Sequence, residues 1–508
     1  MMNRIYMHLA IMMGFRMETT PTGSQLNFYL NEYLEDARRR LHFIRDEGRY
    51  LLSSVRSQFQ SLDTCSASVS LLIHRLGEMI AIANEIDSKI VLPFCEQPWK
   101  NVPFRTREGH DVIYEDLEEK ISELETAYSY LLLALDQRFE GSYAENVLSL
   151  VPSKTEWMGT QKVSEAADVV FNDYIGRLNC PDLGGRTPLT VFGPSVEYEV
   201  SPLMMIAHIP NFDRYRCRYW SSLAHEAFHL SFRRLVPDIA DLARHPKSHT
   251  LKLRDRLKNT ITNFEEPTWV GLIKFRNDLE KEIYNIGVPY SGNFTAQHAR
   301  RHFEEILADM AGLMLAGLGS YLAFSRNMPY LRHLGIAGQR YNRDLDHPPY
   351  LSRVRYMLSF LDKFLGYSDI PDFQMLRTNL YTLVGYDCGD PQFESHCDEY
   401  VALVERRFGE IAWSAHLFLR HPSLYDAQLW KATGEHFSRF MHQEEINADP
   451  REMLNFAWIR KLGMLEKSPR ADLLGFLEWE RGERKASELI VDHLSYLHHK
   501  LERSRQYA

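Results

Sequence analysis

The stretch that decides the fold is Arg218-Tyr219-Trp220-Ser221-Ser222-Leu223-Ala224-His225-Glu226-Ala227-Phe228-His229-Leu230. Its core is HExxH. On a helix, His225 and His229 lie one turn apart on one face, so both imidazoles can reach a single metal ion. Glu226 is offset from His225 by about 100°, which sets its carboxylate beside the metal's open position without ligating. Leu223, Ala227, Phe228 and Leu230 make the remaining surface apolar. A buried helix that carries two histidines and an acid must give those polar groups a partner. Zinc is the expected one; the alternative is two histidines satisfied by backbone or carboxylate groups inside a helical core.

A catalytic zinc site needs a third protein ligand and an open position. The HExxHxxGxxH continuation is absent, since Phe232 and Leu235 occupy its glycine and histidine positions. Downstream, Glu305-Ile306-Leu307-Ala308-Asp309 supplies an ExxAD pattern that runs directly into the apolar stretch Met310 to Phe324. Glu305 and Asp309 share a helix face, so Glu305 can ligate while Asp309 accepts a hydrogen bond from a ligand histidine and fixes its tautomer. A second copy, Glu445 to Asp449, is followed at once by Pro450 and reads as a solvated helix end. Glu305 is therefore the expected ligand.

Next comes His347-Pro348-Pro349-Tyr350-Leu351-Ser352-Arg353, an HPPxxxR pattern. HExxH, ExxAD and HPPxxxR in this order resemble the gluzincin peptidases, and among them the family of HtpX and the prenyl-protein endopeptidases. The resemblance covers at most residues 190 to 365. It implies a zincin-like catalytic domain in which His347 helps stabilise the tetrahedral oxyanion. Arg353 would organise that wall or bind substrate. Members of that family are typically membrane-embedded, whereas a bilayer span needs about 20 apolar residues and no such run occurs here.

The expected activity is zinc-dependent peptide hydrolysis on a protein or peptide substrate. Zinc is held by His225, His229 and Glu305, and Glu226 is the general base. Two other readings stay open: a zinc-binding non-peptidase hydrolase or regulator, and a helical interaction protein in which HExxH is fortuitous.

The rest of the sequence frames this site. The chain has 508 residues with 59 basic and 68 acidic side chains, a net charge of −9, and 44% apolar residues. That composition excludes a disordered chain and gives no electrostatic reason to expect nucleic acid. The six cysteines form no CxxC pair, so reduced, mostly buried thiols in a cytoplasmic protein are expected. Ile5 to Phe15 is too short to span a membrane and reads as a tail or a misassigned start before Met17. Met310 to Phe324 reads as a buried core helix.

The overall expectation is a mainly α (α+β) fold: a helical zincin-like domain with a small antiparallel sheet, flanked by helical regions. An apolar stripe from Ile113 to Leu135 marks a long amphipathic helix. Leu189 to Phe192, Val196 to Val200 and Met204 to Ile209 are the strand candidates, and one of those between Val196 and Ile209 is the expected edge for an extended substrate. The expected divisions are 1–16 (tail), 17–150 (N-terminal helices), 151–370 (zincin-like domain) and 371–508 (C-terminal helices), with partner docking open to the flanking helices. His498-His499, the basic stretch 245–258, and Cys388 and Cys397 with His396 read as ordinary surface or core.

Overall fold

The computed structural model describes residues 37–46, 48–53, 67–91, 107–138, 160–179, 188–193, 198–202, 205–210, 213–214, 216–244, 250–261, 264–325, 345–371, 373–374, 377, 391–420, 424–441, 449–467 and 487–497. Several sequence expectations fall outside them: the Ile5 to Phe15 run, Val196 and Glu197, Met204, Glu445, and His498-His499. The chain divides into two compact units, Met1–Leu132 and Leu133–Ala508. The fold is mainly helical, as expected.

In the first unit, α1 (Ala67–Ile86) and the start of α2 (Arg107–Arg138) are the principal helices. Ile121, Leu124, Tyr128 and Leu131 of α2 are buried, the part of the expected stripe that can be followed. Arg40 grips Glu125 with two hydrogen bonds, Nε to Oε1 at 2.7 Å and Nη2 to Oε2 at 2.6 Å.

The second unit holds the site. Its helices are α3 (Thr160–Gly176), α4 (Leu223–Arg244), α5 (Thr250–Thr260), α6 (Glu266–Tyr290), α7 (Ala296–Ala316), α8 (Leu318–Ser325), α9 (Tyr350–Phe364), α10 (Pro391–Arg406), α11 (Phe408–Leu417), α12 (Ala427–Met441) and α13 (Pro450–Lys467). Strands β1 (Leu189–Gly193), β2 (Glu199–Ser201) and β3 (Ile206–Pro210) form a sheet in the order β1-β3-β2.

The sheet is mixed, which corrects the expected antiparallel one: β3 runs parallel to β1 and antiparallel to β2. The cause is the path of the chain. After β1 it crosses to the far edge as β2, reverses, and returns between the two as β3. The reversal passes through Met205, whose φ of 54° is left-handed backbone that a non-glycine residue adopts at a cost. β1 and β3 are buried along their whole length.

The apolar run Met310 to Phe324 is not one helix. It breaks at Gly317, which has φ of 61° and separates α7 from α8. A Cβ at this position would run into the Tyr367 hydroxyl and the Tyr425 ring, so only glycine allows the turn. Helix α13 seals the break. Asn455 Nδ2 donates to the Ala316 carbonyl (3.0 Å), Asn455 Oδ1 accepts from the Gly319 amide (3.1 Å), and Arg451 Nη1 donates to the Leu315 carbonyl (3.3 Å). These answer carbonyls that a helix end otherwise leaves unpaired.

An aromatic cluster fixes α4 from behind. The Phe228 and Phe418 rings lie 5.0 Å apart, and Phe418 meets Trp269 of α6 at 5.3 Å. Phe232 touches Phe303 of α7 at 6.2 Å. Helices on both sides of residue 370 share this one core, which runs from Val163 to Leu494. Among the described residues, no helix is long and apolar enough to cross a membrane.

Candidate metal centre

Helices α4 and α7 lie side by side and turn polar faces toward each other. From α4 come His225, Glu226 and His229; from α7 come Glu304, Glu305 and Asp309. Helix α7 is set by a capping box at Thr295, whose hydroxyl accepts from the His298 amide while His298 Nδ1 accepts from the Thr295 amide. From Glu305 to Ala316 every residue of α7 is buried.

Three donor groups converge. The two Nε2 atoms of His225 and His229 are 3.0 Å apart. His225 Nε2 lies 3.3 Å from Glu305 Oε2, and His229 Nε2 lies 3.2 Å from Glu305 Oε1. Tetrahedral zinc with nitrogen and oxygen ligands at about 2.0–2.1 Å separates its donors by about 3.3 Å, so the spacing fits. His225, His229 and Glu305 form a group that could hold a metal ion.

The outer atoms explain why the rings point inward. His225 Nδ1 lies 3.2 Å from Asp309 Oδ1, and His229 Nδ1 lies 2.6 Å from Glu304 Oε1. A carboxylate behind each Nδ1 fixes that nitrogen as the protonated one and leaves Nε2 free to ligate. Asp309 thus stands where its spacing placed it. Glu304 was not anticipated: it is one residue from the ligand, about 100° around the helix, and nothing in the string Glu304-Glu305 says which acid does what. Its Oε1 also accepts from Arg233 Nε at 2.7 Å.

Arg353 is close to the site but buried, and it faces acids rather than an open wall. Its Nε donates to Asp309 Oδ2 (2.9 Å) and its Nη2 to Asp309 Oδ1 (2.6 Å), with Nη2 3.2 Å from Glu305 Oε2. The Tyr356 hydroxyl adds a fourth contact to Asp309, at 2.6 Å from Oδ2. His347 has its Nε2 3.8 Å from Glu305 Oε1 and a side chain 42% exposed, so it stands at the opening.

The ionisation states follow from these contacts. Burial disfavours charge on Glu305, but His229, His347 and Arg353 outweigh it and hold the carboxyl well below its usual range. Burial likewise opposes charging His229, yet the Glu305 charge and the hydrogen bonds that His229 donates to Glu304 and Glu305 push it up to about 10. Burial raises the Glu226 carboxyl, against the pull of His225 and His229. Without a metal ion, the surrounding carboxylates therefore favour the charged form of both imidazoles.

This has a measurable consequence. Because the folded His229 value exceeds the ordinary value of about 6.5, its contribution to ion-free stability is complete below about pH 6.5 and lost as pH rises through about 10. A metal ion at these atoms displaces the proton, so affinity should increase with pH across the neutral range. Calorimetric titration in two buffers of different ionisation enthalpy should show about one proton or more leaving per ion; zero would contradict the protonated ion-free site.

The second ExxAD copy serves another purpose. Asp449 Oδ1 accepts from the Glu452 amide (2.9 Å) while Glu452 Oε2 accepts from the Asp449 amide (3.1 Å), a capping box that starts α13. Its partner Glu445 lies outside the described residues. Cys217 and Cys397 are buried free thiols, and burial pushes Cys217 up to about 11. Among the described residues, no second group of histidine, cysteine and acid is spaced for a metal. No protein-family model, curated protein or solved structure matches the chain.

Proposed function

We propose that the protein is a zinc metallopeptidase of the gluzincin type, acting on a protein or peptide substrate in the cytoplasm. The observation that carries this reading is the inward convergence of two imidazole Nε2 atoms and a carboxylate, each imidazole backed by its own acid, with a buried glutamate beside them. Two imidazoles and a carboxylate are a donor set that suits zinc. When bound, zinc supplies Lewis acidity, polarising a carbonyl and lowering the pKa of adjacent water to about 7.

The protein groups then divide the work. Glu226, held above its ordinary pKa by burial, takes the proton from the attacking water and returns it to the leaving amine as the C–N bond breaks. His347, half-exposed at the opening, donates a hydrogen bond to the developing oxyanion. Arg353 is buried against Asp309 and Glu305. Its fork holds Asp309, and through it His225, in place. Of the two roles implied by the family resemblance, this is the organising one rather than substrate binding.

The test is Glu226→Gln, which keeps shape and removes the base. Hydrolysis of peptides released by proteome-wide profiling should drop by about 100- to 10,000-fold, while metal content stays at one ion per chain. A variant that retains both metal and full activity would end the mechanism.

A further inference from the structure

One turn before the ligand Glu305, helix α7 carries a histidine that neither binds the centre nor faces solvent. His302 is fully buried. Its Nε2 lies 2.8 Å from the Leu345 carbonyl, and its Nδ1 meets the Tyr400 hydroxyl of α10. A carbonyl oxygen only accepts, so Nε2 carries the proton and Nδ1 accepts from Tyr400. Burial pulls the imidazole down to about 3, so it stays neutral in this one tautomer.

Leu345 immediately precedes Asp346-His347-Pro348-Pro349. Two further contacts flank the turn: Arg301 pairs with Asp346 within it, and just after it the Ser352 hydroxyl of α9 donates to the Cys397 carbonyl of α10 (3.2 Å). Pro348 and Pro349 restrict the backbone between these anchors. The distance that matters is His347 Nε2 to Glu305 Oε1, 3.8 Å. Both ends of that distance hang from one stretch of α7, Glu305 directly and His347 through His302.

We propose that His302 is a positioning residue: its imidazole, oriented by Tyr400, latches the Leu345–Pro349 turn to the ligand helix and so holds His347 over the metal centre. The assignment of His347 to the oxyanion rests on the peptidase reading; the latch itself does not.

Hydrogen exchange on the full chain tests the latch without any substrate, with zinc content measured in parallel. His302→Phe should speed exchange in peptides covering 345–353 about tenfold, the factor expected for losing one buried hydrogen bond. Exchange in α4 and zinc stoichiometry should hold. His302→Gln, which can donate to Leu345 and accept from Tyr400, should restore the wild-type rate. Tyr400→Phe should give a smaller rise in the same peptides, and it decides the matter if His302→Phe does not fold. Unchanged exchange at 345–353, or a rise spread evenly over the unit, would overturn the latch. On a peptide substrate, His302→Phe should lower kcat about tenfold with little change in KM, and His302→Gln should rescue it. A wild-type protein that cleaves no peptide would refute the peptidase reading while the exchange result still stands.

Discussion

Replacing His229 with alanine should abolish stoichiometric metal binding and, on the proposed peptidase reading, hydrolysis with it, while the helices stay in place. The substitution removes one of three inward donors. Its cost should exceed the roughly 10- to 100-fold lost when only an outer partner of a ligand is removed. The acid left behind is not stranded, because Glu304 keeps its hydrogen bond from Arg233. Chelator-treated wild-type protein should keep its helical circular dichroism for a related reason. The core of the second unit is apolar and extends far from the centre, unlike a zinc finger, where metal supplies the folding energy. Zinc added back at about 100 times its Kd should stabilise the stripped protein by about 2.7 kcal/mol, read as a higher Tm. His229→Ala should show no such rise. A variant that still took up one zinc per chain with wild-type affinity would remove His229 from the ligand set.

Arg353→Met should be the most destabilising change near the site, by about 3–5 kcal/mol, the usual cost of removing one partner from a buried ion pair. Asp309 is fully buried and receives two hydrogen bonds from the Arg353 fork. Methionine keeps the apolar stem but ends near the Nε position, so the loss combines the missing charge with the vacated guanidinium position 4.5 Å over the Phe324 ring. Arg353→Lys should recover only part, because one ammonium cannot repeat a planar two-point contact. The combination of Arg353→Met with Asp309→Asn should be less destabilising than the two single costs added together. Urea denaturation measures all four proteins; a single-variant cost under about 1 kcal/mol would contradict a buried pair of this kind.

The His225, His229 and Glu305 cluster is legible where chemistry imposes spacing. HExxH on a helix leaves His225 and His229 little choice, and Glu305 with Asp309 needs the same one-turn geometry. Pro450 signals a helix boundary but not its direction: the sequence reads a solvated helix end before it, whereas Asp449 caps the start of α13 and pairs with Arg177 and Arg451. What could not be read were partners set by packing between distant segments. Glu304, Tyr356 and His302 have ordinary sequence surroundings, and their roles appear only once α4, α9 and α10 lie against α7. Arg353 was placed near the site but its direction was not, because side-chain orientation depends on which face of α9 is buried. The candidates Leu189 to Phe192, Val196 to Val200 and Met204 to Ile209 overlap β1, β2 and β3 but do not give their order, since strand patterning reports burial and nothing about neighbours.

The seal that α13 places on the end of α7 also sets a timetable. Ala316 and Asn455 are 139 residues apart in sequence. At about 5–20 residues per second, ribosomes need roughly 7–28 s to travel from one to the other. During that interval the helix bearing Glu305 has been made, but the side chains that close its far end have not. The histidines and acids of the cluster are therefore all synthesised well before the α13 side chains that close the far end of α7.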